Sequence, residues 1–433
     1  CLAAVELASS RAVLDHVAGA GGAEQSRVVG LPGRFPAAQA AFANGVLAHS
    51  LDYDDTHLPS VLHPSASVVP AALAVAERTG ASGADLVVAV AVGLEVCVRL
   101  GMAGYDPAAG NSRYFEHGQH ATSICGTLGA AVAAGLLSGL DADRLVDALG
   151  VAASLAGGVL EGNRTGGTVK RLHCGFAARA GVVAAELAGA GVTGPPTVLE
   201  GRFGFFQAFL HGRFDPAAVT DRLGEDWAGP GIFFKPYPAN HFTHAGIDAA
   251  RALRARGLRP DQVAAITLGV PAATVRTIGE PIEVKRAPET GYQAQFSGPY
   301  TVVAGLVSGG HGLGLGLADF TDALASDPYR RKLMSTVSVV GDPECDAIYP
   351  HQFPAVLTVD TVDGRRLVEK VLTNRGGPDR PLSDAELATK FRDNATRAVP
   401  GEVAEALAGT VRRLAELADA NQLLAALSDG GEP

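Results

Sequence analysis

The sequence predicts a mainly α-helical protein with a large all-α domain and a smaller α+β domain. Three observations support this prediction. Alanine-rich apolar segments of helical length follow one another through the first half of the chain. Segments with strand character appear after Phe233, and Asp363-Gly364 between two of them is a hairpin signal. Helix signals return after Pro381, so we expect the helical domain to contain both chain ends, residues 1–232 and 377–433, around an α+β domain at 233–376.

The helices of the first domain are predicted from their apolar pattern and their end signals. Pro64 suits the first turn of a helix, because proline lacks the N–H that is unsatisfied there. Many positions are Ala or Gly, which predicts closely packed helices. The predicted helices cover residues 36–48, 64–78, 85–101, 121–138, 143–156 and 169–190.

The second domain is predicted from runs of β-branched and apolar residues. Helical segments at 300–307 and 322–334 interrupt these runs. Beyond them, Ser383 followed by Glu386 has the spacing of a capping box and predicts another helix start. The predicted strands cover residues 262–271, 335–342, 355–362 and 366–373.

Composition restricts the class of function. The chain has 433 residues, is 47% hydrophobic and 18% charged, and carries a net charge of −10, which predicts a large core and argues against nucleic-acid binding. Its 5 cysteines include no C-x-x-C pair, so we expect neither disulfides nor a zinc ribbon, and a cytoplasmic location. The longest strongly apolar run, residues 86–94, is shorter than the ~18 residues of a membrane span, and no secretory signal pattern is visible.

One short stretch concentrates titratable groups. Residues 48–65, AHSLDYDDTHLPSVLHPS, hold three histidines and three aspartates between apolar segments. The stretch joins a helix end to the start of the next helix, and its loop should bring His63 toward Asp52. Three interpretations are open: a proton-transfer and anion site, a metal site, and a polar loop without function. No H-x-x-x-H or H-E-x-x-H spacing supports the metal site.

Four other segments carry candidate groups. His120 precedes an apolar helix, and Lys170 and His173 share a face at the start of another. Lys235 lies among aromatic residues and prolines, and Tyr300 heads an apolar helix. Each has a plain structural interpretation: a buried histidine or cap, a solvated basic turn, a linker lysine, a half-buried tyrosine. Together they are typical of an acid–base site without a cofactor, in which lysines bind carboxylates and histidines move protons.

Ordered motifs along nearly the whole chain resemble the MmgE/PrpD family. The motifs are ANGVLAHSLDYDDT…HPS, GQHATSICGTLGAA, GTVKRLHCGFAARAG, GPPTVLEGRFGFF, KPYPANHFTHAGIDA and QFSGPYTVVAGL. The resemblance implies a helical domain with an α+β lid domain, a homodimer, and a site between the domains without metal or organic cofactor. By motif position it places site residues at Asp52, Thr56, His63, His120, Lys170, Lys235 and Tyr300, with His173 and Arg171 in the same signature.

The resemblance implies a lyase or isomerase that abstracts a proton α to a carboxylate of a small di- or tricarboxylate. We expect dehydration of the 2-methylcitrate type, in propionate metabolism, with decarboxylation of cis-aconitate or epimerisation of iminodisuccinate as alternatives. His63 or His120 would be the base, Tyr300 or the other histidine the proton donor, and Asp52 would orient a histidine.

Two functions from other classes stay open at this point. One is a metal-dependent hydrolase that uses the His/Asp stretch, and the other is a helical scaffold without catalysis. Two departures from the family pattern concern specificity. The loop between Thr56 and His63 is one residue longer than in the decarboxylase branch, and Asn240 stands where many relatives carry Cys or His.

Overall fold

The computed structural model describes residues 1–162 and 167–427. The chain forms two compact units, one of residues 1–232 and 394–433 and the other of residues 233–393. The first unit is helical, and the second combines helices with a four-stranded sheet, so the protein is mainly α as predicted.

The long helices of the first unit follow the predicted order. They are α1 (Ala8–Ala20), α2 (Ala37–His49), α3 (Ser65–Thr79), α4 (Gly83–Ala103), α5 (Ala121–Leu137), α6 (Ala142–Leu155) and α7 (His173–Gly189). Helix α5 is buried along nearly its whole length and packs against α3, α4 and α7, while α2 packs against α3 and α7. A helix that is apolar on every side is stable only in such a buried position.

Shorter elements connect these helices. Residues predicted as the first turn of a helix from 169 form a separate 3₁₀ turn, Thr168–Leu172, and the α-helix begins only at His173. The other short elements are the helices Arg113–Glu116, Phe205–Leu210 and Pro216–Thr220, the 3₁₀ turns Leu2–Ala4 and Gly229–Gly231, and the strands Asp55–His57, Tyr105–Asp106, Asn111–Ser112 and Ile232–Phe234.

Glycines allow α2 and α7 to cross in direct backbone contact. A Cβ at Gly45 would lie 2.8 Å from the Cα of Gly175, and a Cβ at Gly175 would lie 2.5 Å from the carbonyl oxygen of Phe42. Neither distance is tolerated, so both positions require a residue without a side chain. This crossing holds the end of α2 next to the start of α7, and each of these helix ends carries a histidine.

We therefore expect Gly175→Ala to destabilise the first unit by about 1–3 kcal/mol, because the added methyl group meets backbone and not a movable side chain. Thermal unfolding monitored by circular dichroism measures the change. Gly189→Ala is the matched control on the same helix, since a Cβ there makes only an ordinary contact at 3.4 Å. Equal melting temperatures of the two variants would contradict the proposed close packing.

Helix α4 is long and apolar enough to cross a membrane by length and composition. More than half of its most apolar stretch is buried inside the protein, which is also typical of a core helix. The helix carries a buried ion pair, in which Arg99 Nε lies 2.6 Å from Glu95 Oε1. The guanidinium of Arg99 also donates to the backbone carbonyls of Val219, Asp221 and Asp226, and this compensates for burying the charge.

The second unit contains one four-stranded sheet. Its strands are β1 (Val263–Val270), β2 (Val337–Gly341), β3 (Ala355–Thr361) and β4 (Arg366–Val371). The strand order is β2-β1-β3-β4, with β2 parallel to β1, and β3 antiparallel to β1 and to β4. Alternate residues of β3 are buried, as expected for a sheet with one face toward the core.

Two longer helices, α8 (His244–Ala255) and α9 (Gly298–Val307), contribute apolar residues to the core beneath this sheet. The helix predicted over 322–334 is broken into Asp322–Ala325 and Pro328–Met334, because proline starts a helix more readily than it continues one. The other short elements are the 3₁₀ turns His241–Thr243, Pro260–Gln262 and Leu317–Asp319 and the helices Ala272–Ile278, Ile282–Lys285, Gly291–Ala294 and Pro343–Asp346.

The chain returns to the first unit at residue 394 and not at residue 377 as the sequence predicted. The contacts that hold the intervening segment in the second unit include an ion pair between Arg375 and Glu386 and a hydrogen bond of 2.8 Å from Lys390 Nζ to the Lys235 carbonyl. The predicted capping box is present, since Ser383 and Glu386 bond each other's backbone N–H groups. The remaining helices are α10 (Asp384–Ala395) and α11 (Gly401–Arg412), followed by the 3₁₀ turns Leu414–Glu416, Ala420–Gln422 and Ala425–Leu427.

Candidate active site

Four histidines from four helix termini form a continuous row in the first unit. His49 ends α2, His63 lies two residues before α3, His120 immediately precedes α5, and His173 begins α7. The centroid of the His49 ring lies 5.6 Å from the ring centroid of His63 and 5.7 Å from that of His120. The ring centroids of His120 and His173 are 5.0 Å apart. The sequence predicted three of these residues as site residues, and the structure adds His49.

His49 is bound to a buried carboxylate. Its Nδ1 lies 2.6 Å from Oδ2 of Asp54, and the two side chains are only 1% and 5% exposed. Burial by itself lowers the pKa of His49, but the nearby Cys174 and Asp54 side chains outweigh burial and raise this pKa to about 10. The charge of His49 therefore stabilises the fold fully below about pH 6.5, and this stabilisation is lost as the pH rises through about 10.

His63 is oriented by the loop that precedes it. Its Nδ1 lies 2.6 Å from the Asp55 carbonyl oxygen and 3.3 Å from the Thr56 hydroxyl, and its backbone N–H donates to Thr122. A carbonyl oxygen can only accept, so Nδ1 carries the proton and Nε2 of the neutral ring keeps its lone pair. The side chain of His63 is 18% exposed. It therefore has the orientation that a proton-transfer group needs.

His120 and His173 share one hydrogen bond. Their Nδ1 atoms are 3.0 Å apart, so one nitrogen donates and the other must be unprotonated. Burial lowers the pKa of His120 well below its usual value, and the positive charges of Lys170 and His49 lower it further. Burial, His49 and Lys170 likewise lower the pKa of His173 to about 4. The pair is therefore neutral near pH 7.

A glycine allows this pair to form. Gly158 has a φ of +146°, and a Cβ there would lie 3.1 Å from Cβ of His120 and 3.5 Å from Nδ1 of His173. Its carbonyl oxygen accepts the backbone N–H of His120 at 3.0 Å. Sequence reasoning missed Gly158 because nothing in the local pattern distinguishes it from the many other glycines of the chain.

Lys170 lies in the 3₁₀ turn that leads into α7, and it acts electrostatically on both His120 and His173. The N-termini of α3, α5 and α7 lie in the same region, and helix N-termini favour anions. This region of the first unit is therefore suited to bind a carboxylate. Thr165 and Gly166, which begin the TGGTVKRLH segment, lie outside the described residues.

Asp52 is buried, and its φ is +51°, a left-handed conformation that aspartate adopts more readily than most residues. This residue turns the chain back after α2. The carboxylate on the His49 ring belongs to Asp54. The role of Asp52 in orienting a histidine stays a prediction. Asp55 contacts the start of α3, where its carboxylate accepts from Ser65 N–H, and burial raises the pKa of Asp55 to about 6.

Lys235 and Tyr300 belong to the second unit, and both are fully buried. The hydroxyl of Tyr300 donates to the Asp319 carbonyl and accepts from Nη1 of Arg330 at 3.2 Å. Burial raises the pKa of Tyr300 to about 12. Both bonds hold the hydroxyl within the second unit, and the proton-donor role of Tyr300 stays a prediction.

Sequence reasoning placed His49, Asp54 and Asp55 in the titratable stretch but did not single them out as site residues. The stretch HSLDYDD contains the signal, since a histidine at the end of a helix is followed by several aspartates. Within residues 1–162 and 167–427, no group of three or more His, Cys, Asp or Glu side chains is arranged to hold a metal ion.

Two domains of a known protein family match most of this chain. Residues 1–217 match the MmgE/PrpD N-terminal domain, and residues 237–416 match the MmgE/PrpD C-terminal domain. The chain belongs to the MmgE/PrpD family. The resemblance found in the motifs is therefore confirmed along almost the whole chain. The four histidines of the row all lie within the part that matches the N-terminal domain of the family.

Relatives of this MmgE/PrpD protein include enzymes named for one reaction. The chain is 32% identical to human cis-aconitate decarboxylase over 412 residues, which cover 92% of this chain and 81% of that protein. It is 30% identical to the mouse enzyme of the same name, and the match covers 90% of this chain and 78% of the mouse enzyme. A cis-aconitate decarboxylase-like protein of Aspergillus oryzae is also 30% identical, and the match covers 93% of this chain and 84% of that protein. These similarities support a lyase.

Proposed function

We propose that this protein is a cofactor-independent lyase that decarboxylates a small unsaturated tricarboxylate, either cis-aconitate or a close analogue. The observation that carries the choice of reaction is the similarity to three cis-aconitate decarboxylases and decarboxylase-like proteins over at least 90% of this chain. The neutral histidines beside a lysine support a proton-transfer reaction on an anionic substrate. The 2-methylcitrate-type dehydration that the sequence suggested receives no comparable support from these relatives.

The proposed reaction places a specific demand on the site. The bond between a carboxylate carbon and its neighbouring CH₂ breaks, and CO₂ leaves. The electron pair moves across the adjacent double bond to the carbon α to another carboxylate, and that carbon takes up one proton. Negative charge develops on this second carboxylate during the step. An enzyme for this reaction therefore needs fixed positive charge at the carboxylates and one well-placed proton donor.

The first unit contains groups for both tasks. Lys170 and the N-termini of α5 and α7 provide positive potential for the carboxylates. His63 is the proposed proton-transfer group, because its Nε2 is the ring nitrogen directed away from the Asp55 carbonyl, and its side chain is 18% exposed. In this scheme the protonated ring delivers the proton, and the neutral His120–His173 pair provides hydrogen bonding without a second charge.

The other predicted residues enter the proposal with smaller roles. Thr56 positions His63 through the contact with Nδ1, and Asp52 fixes the turn that carries Asp54. Lys235 stays a proposed substrate-binding residue of the second unit. The homodimer implied by the resemblance and the cytoplasmic location inferred from the cysteines also remain proposals.

A substrate panel in heavy water tests the reaction. We expect cis-aconitate to lose CO₂, with one solvent deuterium bound to carbon in each product molecule, when the reaction is followed by ¹H NMR. The panel also contains 2-methylcitrate, citrate and iminodisuccinate, and boiled protein is the control. Water loss from 2-methylcitrate without any change of cis-aconitate would replace the proposed decarboxylation with dehydration. Deuterium exchange in iminodisuccinate alone would indicate an epimerase.

The alternative function, a metal-dependent hydrolase, predicts different properties of the purified protein. It would be purified with a stoichiometric divalent metal and would lose activity to a chelator. Elemental analysis of the purified protein, with turnover measured before and after EDTA, separates the two proposals. Turnover that disappears with EDTA and returns with the metal would overturn the cofactor-independent mechanism.

A further inference from the structure

His49 and Asp54 lie at the centre of the histidine row, but neither is needed as the proton-transfer group. We propose that they form a permanent imidazolium–carboxylate pair that positions His63, weakens the hold of its ring on the proton that it delivers, and keeps His120 neutral. The pair is a positioning device, and its effect on turnover rests on the proposed function. Its state of charge does not depend on that function.

Three features of the geometry favour a permanent charge on His49. Its Nδ1 lies 2.6 Å from Oδ2 of Asp54, a distance typical of a charge-assisted hydrogen bond. His49 is the last residue of α2, and the carbonyl groups at a helix C-terminus stabilise a positive charge. The Asp54 carboxylate is itself only 5% exposed, so water does little to weaken the attraction. The raised pKa of His49 agrees with these three features.

Asp54 connects this charge to His63. Its second oxygen, Oδ1, lies 3.9 Å from Nδ1 of His63. The same carboxylate therefore faces both rings, and the His49 charge offsets most of its attraction for a second proton on His63. Removing His49 would leave the negative charge of Asp54 to act on His63 unopposed.

The charge of His49 also acts on the other side of the row. The ring of His120 lies 5.7 Å away, and two positive charges at this distance inside a protein repel each other strongly. His120 is further restricted by the hydrogen bond between its Nδ1 and that of His173. The titratable and charged groups that face His49 from its surroundings are Asp54, His63, His120, His173 and Cys174, and Lys170 acts on His120 and His173 behind them.

The first experiment measures the charge of His49 directly. Histidine Cε1–H signals are followed by NMR between pH 5 and 9, and the His49 signal is assigned by its loss in His49→Gln. We expect this signal not to titrate in the native protein and to titrate at a lower pH, within the measured range or below it, in Asp54→Asn, which removes the carboxylate. Titration of His49 between pH 6 and 7.5 in the native protein would overturn the proposal, whether or not any substrate is turned over.

The second experiment measures the consequence for catalysis. In His49→Gln the limb of the pH–kcat/KM profile that reports the proton-transferring histidine should move to higher pH by about one to two units. His57→Gln is the matched control, because His57 is a buried histidine of the same loop whose Nδ1 bonds Ser60 Oγ at 2.7 Å. An unchanged limb in His49→Gln would overturn the positioning role. An equal shift in His57→Gln would overturn it as well, since the shift would then come from general disturbance of the loop.

Inactivity of the native protein toward the whole substrate panel would count against the proposed function alone. The NMR titration would still decide the charge of the pair. If His49→Gln does not fold, Asp54→Asn and the conservative variant Asp54→Glu take its place. Asp54→Glu should keep His49 protonated up to pH 9. The pairing would be overturned if the His49 signal titrated in Asp54→Glu but stayed that of a protonated ring between pH 5 and 9 in Asp54→Asn.

Discussion

Replacement of His63 by glutamine is expected to lower kcat/KM for decarboxylation by a factor of roughly 10²–10⁴, the usual contribution of a positioned general acid or base. Glutamine can still donate to the Asp55 carbonyl, but it cannot carry a proton to the substrate. The His63 side chain is 18% exposed, whereas the other three histidines of the row are buried, so its loss should change the melting temperature little. Initial rates with cis-aconitate and a thermal melt on the same preparation measure both quantities.

The control for His63→Gln is again His57→Gln, which removes a buried imidazole from the same loop without touching the row of rings. We expect the control to melt lower and to keep its turnover per folded molecule. A His63→Gln variant that retains activity within tenfold of the native protein would exclude His63 as the proton-transfer group. His120 would then be the residue to test next, because it is the other predicted base.

The second large effect is expected for Lys170→Met, which keeps most of the side-chain length and removes the charge. Loss of a charged hydrogen bond to a substrate carboxylate should cost about 1.5–3 kcal/mol, or roughly ten- to a hundredfold in affinity. The loss in kcat/KM should be at least as large if negative charge grows on that carboxylate during the reaction. Stability without substrate should change little, because Lys170 lies in a short 3₁₀ turn and not in the apolar core.

The removal of Lys170 has a second, independent consequence. Because the Lys170 charge lowers the pKa values of His120 and His173, both values should rise in the variant, and histidine NMR detects this without substrate. Arg179→Met is the matched control, since it removes one exposed positive charge from α7 about two turns away. A Lys170→Met variant that melts lower but has normal kcat/KM per folded molecule would remove Lys170 from the site.

Most helix and strand positions could be predicted from the sequence because their signals are local. The apolar pattern of 121–138 identified α5, and Asp363-Gly364 identified the turn between β3 and β4. The Ser383–Glu386 capping box is also a contact between residues three apart. The return boundary at 394 could not be predicted, since it depends on contacts such as that of Lys390 with the Lys235 carbonyl, 155 residues away in sequence.

The choice among the aspartates shows why the site was predicted only in part. The stretch offers Asp52, Asp54 and Asp55 within four positions, and all three have the same chemistry. The left-handed backbone of Asp52 turns the chain so that Asp54 faces His49. A change of one or two residues in a loop reverses the direction of a side chain, and no periodic pattern records it.

The sequence by itself determined the family, the mainly helical fold and the types of group available for catalysis. These follow from periodicity, from composition and from ordered motifs, which are properties of neighbouring residues. Only the tertiary structure decided which charges act on one another: His49 with Asp54, and His120 with His173. The reason is that a pKa depends on distances of about 3–6 Å and on burial, and both arise where helix ends that are far apart in sequence meet through a close glycine crossing.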